Sequence, residues 1–140
     1  MLVEFLRYNH FLGKNQWEPR FGAIVLSSAG RPRWVPLGSA EAVEINCKLY
    51  QHSMRNPTSE QAVAEVLRKL YEQVWAPLAK AFPADTKAVI LSPDGELNFV
   101  SFATLLSPVG QFLAEKLRVS YVASGRDLLK DDGARPSNQE

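Results

Sequence analysis

The chain has 140 residues, a formal net charge of +1, 46% hydrophobic residues and 22% charged residues. This composition is typical of one globular domain that buries a hydrophobic core, and the near-neutral charge argues against nucleic acid or an anionic membrane as a partner. The single cysteine, Cys47, excludes an internal disulfide. No apolar run approaches the roughly 18 residues of a membrane helix, and Glu4 and Arg7 interrupt any signal-peptide core. We therefore expect a cytoplasmic protein.

The first 37 residues predict an antiparallel meander of three short strands. Residues 2–8 alternate between two faces and are rich in bulky and β-branched side chains, which favours a strand. A second apolar run covers residues 21–27, and a turn at residues 30–32 leads into a third run at residues 34–37. Because Pro36 has no N–H, we expect the third strand to lie at an edge of the sheet or to end there.

Ser39 is the predicted N-cap of a first helix that ends near Arg55. Its charged residues lie on one face, which leaves a wide apolar stripe for the core. This predicted stripe consists of Ala42, Val43, Ile45, Leu49, Tyr50 and Met54.

A second helix follows the Asn56-Pro57 break. Thr58, with Gln61 three residues later, matches a capping box. Apolar residues then recur at helical spacing to about Phe82. Pro77 would remove one helical hydrogen bond, so we expect a kink or a restart there.

The remaining residues predict further strands and complete an α/β fold class. Residues 87–91 form a continuous apolar run that is typical of a strand buried on both faces. The tetrapeptide Ser92-Pro93-Asp94-Gly95 predicts a turn, and residues 96–102 resemble a short strand that would complete a hairpin. We assign Phe99, Phe102, Leu105 and Leu106 to the core.

Residues 117–122 predict the last strand. Ser124 could cap a short helix that runs through Leu129. From Asp131 the sequence is polar and predicts a disordered tail over residues 131–140.

No catalytic, cofactor-binding or metal-ligating set can be assembled from these residues. Cys47 and His52 are five residues apart on one helix and therefore diverge by about 140°, which separates a nucleophile from its base. His10 is interpreted as a solvated histidine, and the spacing of the cysteine and the two histidines matches no zinc pattern.

Four other features have a structural and a functional interpretation. Asp94 and Glu96 are paired carboxylates, but Pro-Asp-Gly more simply forms a tight turn. Ser124-Gly125-Arg126 could bind an anion at a helix start, or be a cap with a surface arginine. Gly13 and Lys14 do not match a phosphate-binding loop. The tryptophans Trp17, Trp34 and Trp75 are interpreted as core or interface anchors, since no basic stripe accompanies them.

Three segments resemble the CHAT domain, a family of caspase-like domains that often follow tetratricopeptide repeats, mainly in bacteria. They are residues 70–78 (LYEQVWAPL), 88–106 (AVILSPDGELNFVSFATLL) and 119–129 (VSYVASGRDLL). The upstream strands also fit the family's opening, so the resemblance covers roughly residues 2–130. Its most specific piece is the strand, Pro-Asp-Gly turn and Phe-Ala-Thr-Leu block.

The resemblance implies a relation to cysteine peptidases of the caspase and separase group. In those proteins the catalytic histidine lies in a His-x-x-x-His-Gly-like segment and the cysteine in a Leu-Ser-Ala-Cys-like segment, both downstream of the Ser-Gly-Arg region. His10, His52 and Cys47 match neither segment. The expectation is therefore that residues 1–130 form the non-catalytic, N-terminal portion of a CHAT domain and that the chain alone is inactive.

Two partners follow from this expectation: the remaining CHAT half or a tetratricopeptide-repeat region, in cis or in trans. Apolar faces without a second layer also favour self-association. An alternative hypothesis is a degenerate stand-alone module that binds another protein and has no peptidase role. A third is a small enzyme that uses Asp94, Glu96 or Arg126. No cofactor is predicted.

Overall fold

A computed structural model of the chain describes residues 1–28 and 30–124, which form an α/β fold around one mixed sheet. The strands are β1 (Leu2–Gly13), β2 (Gln16–Leu26), β3 (Arg33–Ser39), β4 (Ala88–Ser92) and β5 (Arg118–Tyr121). The helices are α1 (Ala40–Arg55), α2 (Glu60–Leu70) and α3 (Ala76–Ala79). The helix predicted after Ser124 and the tail predicted from Asp131 lie outside the described residues.

The sheet has the strand order β3-β2-β1-β4-β5. Strands β1, β2 and β3 pair antiparallel as consecutive neighbours, which confirms the predicted meander. Strand β4 then pairs parallel with β1, and β5 pairs parallel with β4. Pro36 lies in β3 at the edge of the sheet, as its missing N–H requires.

The first two strands are longer than predicted and form a projecting hairpin. Their register extends from Leu2↔Leu26 to Gly13↔Gln16. Strand β4 pairs with β1 only over Leu2–Glu4, and β3 pairs with β2 only over Arg20–Val25. Residues 8–19, here called the arm, therefore have no third strand from the described part of the chain beside them. Lys14 and Asn15 both have positive φ, of 49° and 58°, which matches the type I′ turns that close two-residue hairpins.

One face of the sheet carries the core. Val3, Phe5, Val89 and Leu91 are fully or almost fully buried beneath the helices. Ile90 lies on the opposite face and is only half-buried. The prediction that this strand is buried on both faces was therefore wrong, because the helices described in residues 1–28 and 30–124 cover one face only.

Helix α1 begins where predicted, but its buried stripe is narrower. The Ser39 hydroxyl accepts a hydrogen bond from the Ala42 N–H and caps the helix. The buried residues are Ala40, Val43, Cys47 and Tyr50. Four members of the predicted stripe, Ala42, Ile45, Leu49 and Met54, are exposed. We had placed these four residues in the core because they are hydrophobic. The face of α1 that packs against the core is instead the one that carries Ala40, Val43, Cys47 and Tyr50.

The second helical segment has its cap one residue later than predicted. The Ser59 hydroxyl, not that of Thr58, accepts from the Ala62 N–H. The expected break near Pro77 is a π-helical turn over Tyr71–Trp75, which leads directly into α3. There the Ala76 N–H donates to the Tyr71 carbonyl, five residues back. This wider turn precedes a proline that has no N–H of its own and would clash with a tighter helix.

The segment after β4 is not a strand. Residues Gly95–Phe99 and Phe102–Thr104 form two 3-10 turns, so the predicted hairpin is absent. Gly95 has a φ of +57°, as the predicted turn requires. Phe102, Leu105 and Leu106 are buried as predicted, but Phe99 is 64% exposed and does not belong to the core.

Only one of the three tryptophans is a core residue. Trp75 is buried, whereas Trp17 and Trp34 are exposed. The Trp34 ring lies over Gly22 of the neighbouring strand and meets Tyr8 edge-on, with ring centroids 5.4 Å apart. Glycine at position 22 thus leaves space for an aromatic cover on the sheet face that has no helix.

We predict that Gly22→Ala lowers the free energy of unfolding by about 1–2 kcal/mol, because the new Cβ would overlap the Trp34 ring. In a Trp34→Ala background the same change should be nearly neutral, since the obstacle is gone and alanine is better tolerated than glycine in a strand. Urea denaturation of the four proteins of this double-mutant cycle measures the coupling. Additive effects would contradict the contact.

Candidate functional site

A polar concave region lies where the parallel strands end. Ligands of α/β proteins usually bind at the carboxyl ends of parallel strands, and here β4 ends at Ser92 directly before Pro93 and Asp94. A concavity of about 710 Å³ opens beside this end. It is lined by Arg7, Glu44, Lys48, Gly95, Glu96, Asn98 and Phe99.

Asp94 joins two distant parts of the chain. One carboxylate oxygen accepts from the Arg7 N–H at 2.8 Å, and the other accepts from the Gly95 N–H at 2.9 Å. Asp94 therefore extends the pairing of β1 after β4 has ended and also caps the following 3-10 turn. Both oxygens are engaged with backbone donors, which supports the interpretation of Asp94 and Gly95 as turn residues.

Arg7, Glu44 and Glu96 are also engaged in structural contacts. The Arg7 guanidinium contacts Glu44 of α1 at 2.6 Å. Glu96 accepts a hydrogen bond from the Gln51 amide at 3.1 Å. These contacts connect α1 to β1 and to the 3-10 turn. Asp94 and Glu96 thus have different partners and do not face each other as an acid–base pair.

Cys47 lies in the core, where its surroundings disfavour the thiolate. Its side chain is fully buried, and burial raises the pKa of the thiol to about 12, with the nearby charges of Glu96 and Glu44 acting in the same direction. A thiol with this pKa holds almost no thiolate at neutral pH. His52 is exposed on the last turn of α1, and His10 lies on the arm, so neither histidine is placed to activate Cys47.

Two tyrosine hydroxyls position the connection between β4 and β5. The Ser101 N–H donates to the Tyr50 hydroxyl at 3.2 Å, and the Phe102 N–H donates to the Tyr121 hydroxyl at 2.8 Å. Burial raises the pKa of Tyr121 above its usual value. Sequence reasoning missed these roles, and that of Arg7, because each contact joins residues that are far apart in the chain.

The structure does not bring the other candidate residues from the sequence together into a site within the described part of the chain. Trp17 and Lys14 lie on the arm, far along the chain from the carboxyl ends of β4 and β5. Gly125 and Arg126 of the anion-site hypothesis lie outside the described residues. Among residues 1–28 and 30–124, no group of three or more histidine, cysteine or acidic side chains could hold a metal ion. No helix in that part of the chain is long and apolar enough to cross a membrane.

An apolar groove lies at the other side of the helices. It has a volume of about 460 Å³ and runs between the start of α2 and the loop that precedes β5. Val63, Leu67, Leu106 and Phe112 form most of its apolar wall. Its polar rim consists of Thr58, Ser59 and Glu60.

The comparison with protein families identifies this arrangement. A family model described as the CHAT domain matches residues 64–140, more than half of the chain. The chain belongs to the CHAT domain family. No curated protein and no solved structure shows a significant match.

The CHAT match begins within α2 and includes β4, the Pro-Asp-Gly turn and β5. Strands β1–β3 and helix α1 precede it. They nevertheless share the sheet and the core with the CHAT segment, because β1 pairs with β4 and α1 contacts the turn after it. The polar residues at the carboxyl end of β4 therefore join the CHAT segment to the strands and the helix that precede it.

We predict that Asp94→Ala lowers the free energy of unfolding by about 1–2 kcal/mol, because it removes both acceptors of the turn. Asp94→Asn should cost less, since its remaining carbonyl oxygen can still accept one hydrogen bond. Asp85→Ala in the exposed loop before β4 is the matched control and should change little. Urea denaturation compares the three. An Asp94→Ala effect equal to that of the control would contradict the assignment.

We also predict that Cys47 makes the folded state less stable at high pH. The unfolded thiol loses its proton near pH 9, whereas the folded thiol keeps it to about pH 12. The contribution of the buried thiol to the free energy of unfolding is therefore complete below pH 9. It is lost between pH 9 and 12, with a slope of at most about 1.4 kcal/mol per pH unit.

Urea denaturation of the wild type and Cys47→Ala across this range isolates the thiol, because all other titrating groups are shared. The native thiol should also resist an aromatic disulfide reagent until urea is added. Rapid native labelling, or identical pH slopes for the two proteins, would show that the thiol is accessible.

Proposed function

We propose that this chain supplies the non-catalytic, N-terminal scaffold of a caspase-like CHAT domain. The histidine and cysteine segments of the peptidase half would then come from a further segment, in cis or in trans. The observation that carries the proposal is the parallel strand β5, which lies at the edge of the sheet among the described residues.

The hydrogen-bonding direction of β5 supports this role. The N–H groups of Arg118 and Val122 donate to the carbonyls of Lys87 and Leu91, so the even-numbered amides of β5 turn toward β4. The amides of Val119 and Tyr121 therefore turn away from β4. A further strand added at this edge would satisfy them and extend the parallel sheet.

The uncovered sheet face supports the same role. Leu6 and Trp34 are exposed there, and Ile90 is half-buried. Parallel sheets normally carry helices on both faces. A second layer from the peptidase half would cover this face.

The state of Cys47 agrees with a scaffold rather than a complete peptidase. The only cysteine is buried, protonated at neutral pH and not placed beside His10 or His52. Under this proposal the chain works in the bacterial cytoplasm beside a tetratricopeptide-repeat region.

A stand-alone interaction module is the second candidate, and the apolar groove beside α2 favours it. An exposed Phe112 at the rim of an apolar groove is typical of a protein-binding surface. In that case the edge of β5 has no role in assembly.

Amide hydrogen exchange measured by NMR separates the two candidates. In the isolated chain, the amides of Val119 and Tyr121 should exchange much faster than that of Ser120, because only Ser120 faces β4. Addition of a CHAT polypeptide that carries the histidine and cysteine segments should protect Val119 and Tyr121.

The amide of Val89 in β4 provides the internal control and should be protected throughout. Protection of Val119 and Tyr121 in the isolated chain would contradict the scaffold proposal, because the edge would already be covered. Protection confined to Val63 and Leu67 after the addition would favour the interaction module.

A further inference from the structure

A small cavity lies at the amino ends of β1 and β4, at the opposite end of these strands from the polar region beside Asp94. Met1, which lines the cavity, directly precedes β1, and its carbonyl accepts from the Ile90 N–H of β4. The cavity has a volume of about 380 Å³ and lies between the β2–β3 connection and the segment that follows α3. Val25, Ala81 and Pro83 contribute apolar lining. This volume is typical of a small-molecule site.

Two arginines line the same cavity without an acidic partner. Arg31 and Arg33 make no ion pair within the described part of the chain, whereas Arg7 and Arg20 each pair with a glutamate. None of the residues that line the cavity is acidic. The positive charge at this position is therefore not balanced by the residues of the cavity, which favours an anionic ligand.

The strand pairing places Arg33 on the covered face of the sheet. Arg33 of β3 lies directly opposite Val25 of β2, and opposite residues of antiparallel strands share a face. Val25 is buried in the core. The aliphatic part of the Arg33 side chain therefore begins beside an apolar wall, while its position on the edge strand β3 lets the guanidinium reach the rim of the cavity.

A hydroxyl group adds a further polar atom. A Cβ at position 30 would lie 2.7 Å from the Ser27 Oγ, so Gly30 leaves the room that this side chain needs beside the backbone. Ser27 and Gly30 both line the cavity. A serine hydroxyl can donate a hydrogen bond to an anionic oxygen. The cavity thus combines an apolar wall with two cations and a neutral donor.

We propose that this cavity binds a small organic phosphate monoester. Arg31 and Arg33 hold the phosphate group, and the organic part of the ligand packs against Val25 and Ala81. Guanidinium groups match phosphate oxygens in bidentate pairs.

A phosphate monoester fits this lining better than a carboxylate does. It carries a charge of about −1.5 to −2 at neutral pH and has three acceptor oxygens. Both arginines and the Ser27 hydroxyl can therefore bind it at once, whereas a carboxylate offers one charge and two oxygens. The apolar wall favours a ligand with an organic part over inorganic phosphate. The cavity lies away from the β5 edge, so this inference does not depend on the scaffold proposal.

Isothermal titration calorimetry of the full chain with phenyl phosphate tests the proposal. The wild type should bind one equivalent saturably, and inorganic phosphate and benzoate should bind about tenfold more weakly, because each lacks one half of the recognised chemistry. Arg31→Gln and Arg33→Gln should each raise the Kd of phenyl phosphate about tenfold, since each removes one charge-assisted pair. Ala81→Leu should weaken phenyl phosphate but not inorganic phosphate, because it fills the apolar side of the cavity.

Arg55→Gln is the matched control, because Arg55 is also exposed but lies at the end of α1 and does not line the cavity. This variant should bind phenyl phosphate like the wild type. Thermal melts establish that each variant is folded, and Arg31→Gln, which lies before β3, decides the test if Arg33→Gln fails to fold. The absence of saturable binding would overturn the proposal. Equal affinities for phenyl phosphate and inorganic phosphate, or equal weakening by Arg55→Gln, would also overturn it by showing nonspecific attraction of anions.

Discussion

Strand β1 is the element on which the whole arrangement depends, because it pairs with β2 on one side and with β4 on the other. The parallel contact covers only Leu2–Glu4, and Asp94 accepts a hydrogen bond from an outward N–H farther along β1, that of Arg7. A carboxylate thus replaces a strand at the point where β4 turns away. Through this junction the N-terminal meander and the CHAT segment form one sheet, although the family match begins only within α2.

The one-sided cover of the sheet has a direct energetic consequence. Val3, Val89 and Leu91 are buried in one core that also contains residues of α1, of the α2–α3 segment and of the 3-10 turns. Each 100 Å² of apolar surface removed from water contributes about 2.5 kcal/mol, a large part of the net stability of a small fold. On the opposite face, Tyr8 and Trp34 partly shield Gly22, yet this local aromatic cover is much smaller than a helix.

Local patterns in the sequence predicted where helices and strands lie better than they predicted which side chains are buried. Ser39 acts through its hydroxyl on an amide three residues along the chain, Pro36 acts through its own missing N–H, and both were assigned correctly. Phe99 was wrongly placed in the core because residues 96–102 alternate like a strand, whereas Asp94 and the hydroxyls of Tyr50 and Tyr121 hold the segment in 3-10 turns. Such contacts cross the chain and leave no local signal. The prediction that Cys47 and His52 do not form a pair needed only helical geometry, since both residues lie on α1, five positions apart.

The remaining open edges differ in the kind of strand that each can accept. Strand β5 is part of a parallel array, and a parallel neighbour requires a long crossover connection or a separate chain. The β1 edge of the arm has no such requirement, because an antiparallel neighbour needs no crossover connection. Proline occupies β3 and the β2 side of the arm, at Pro36 and Pro19, but neither of these two edges. The distribution of proline therefore separates the edges that the fold closes from those at which a further strand can add.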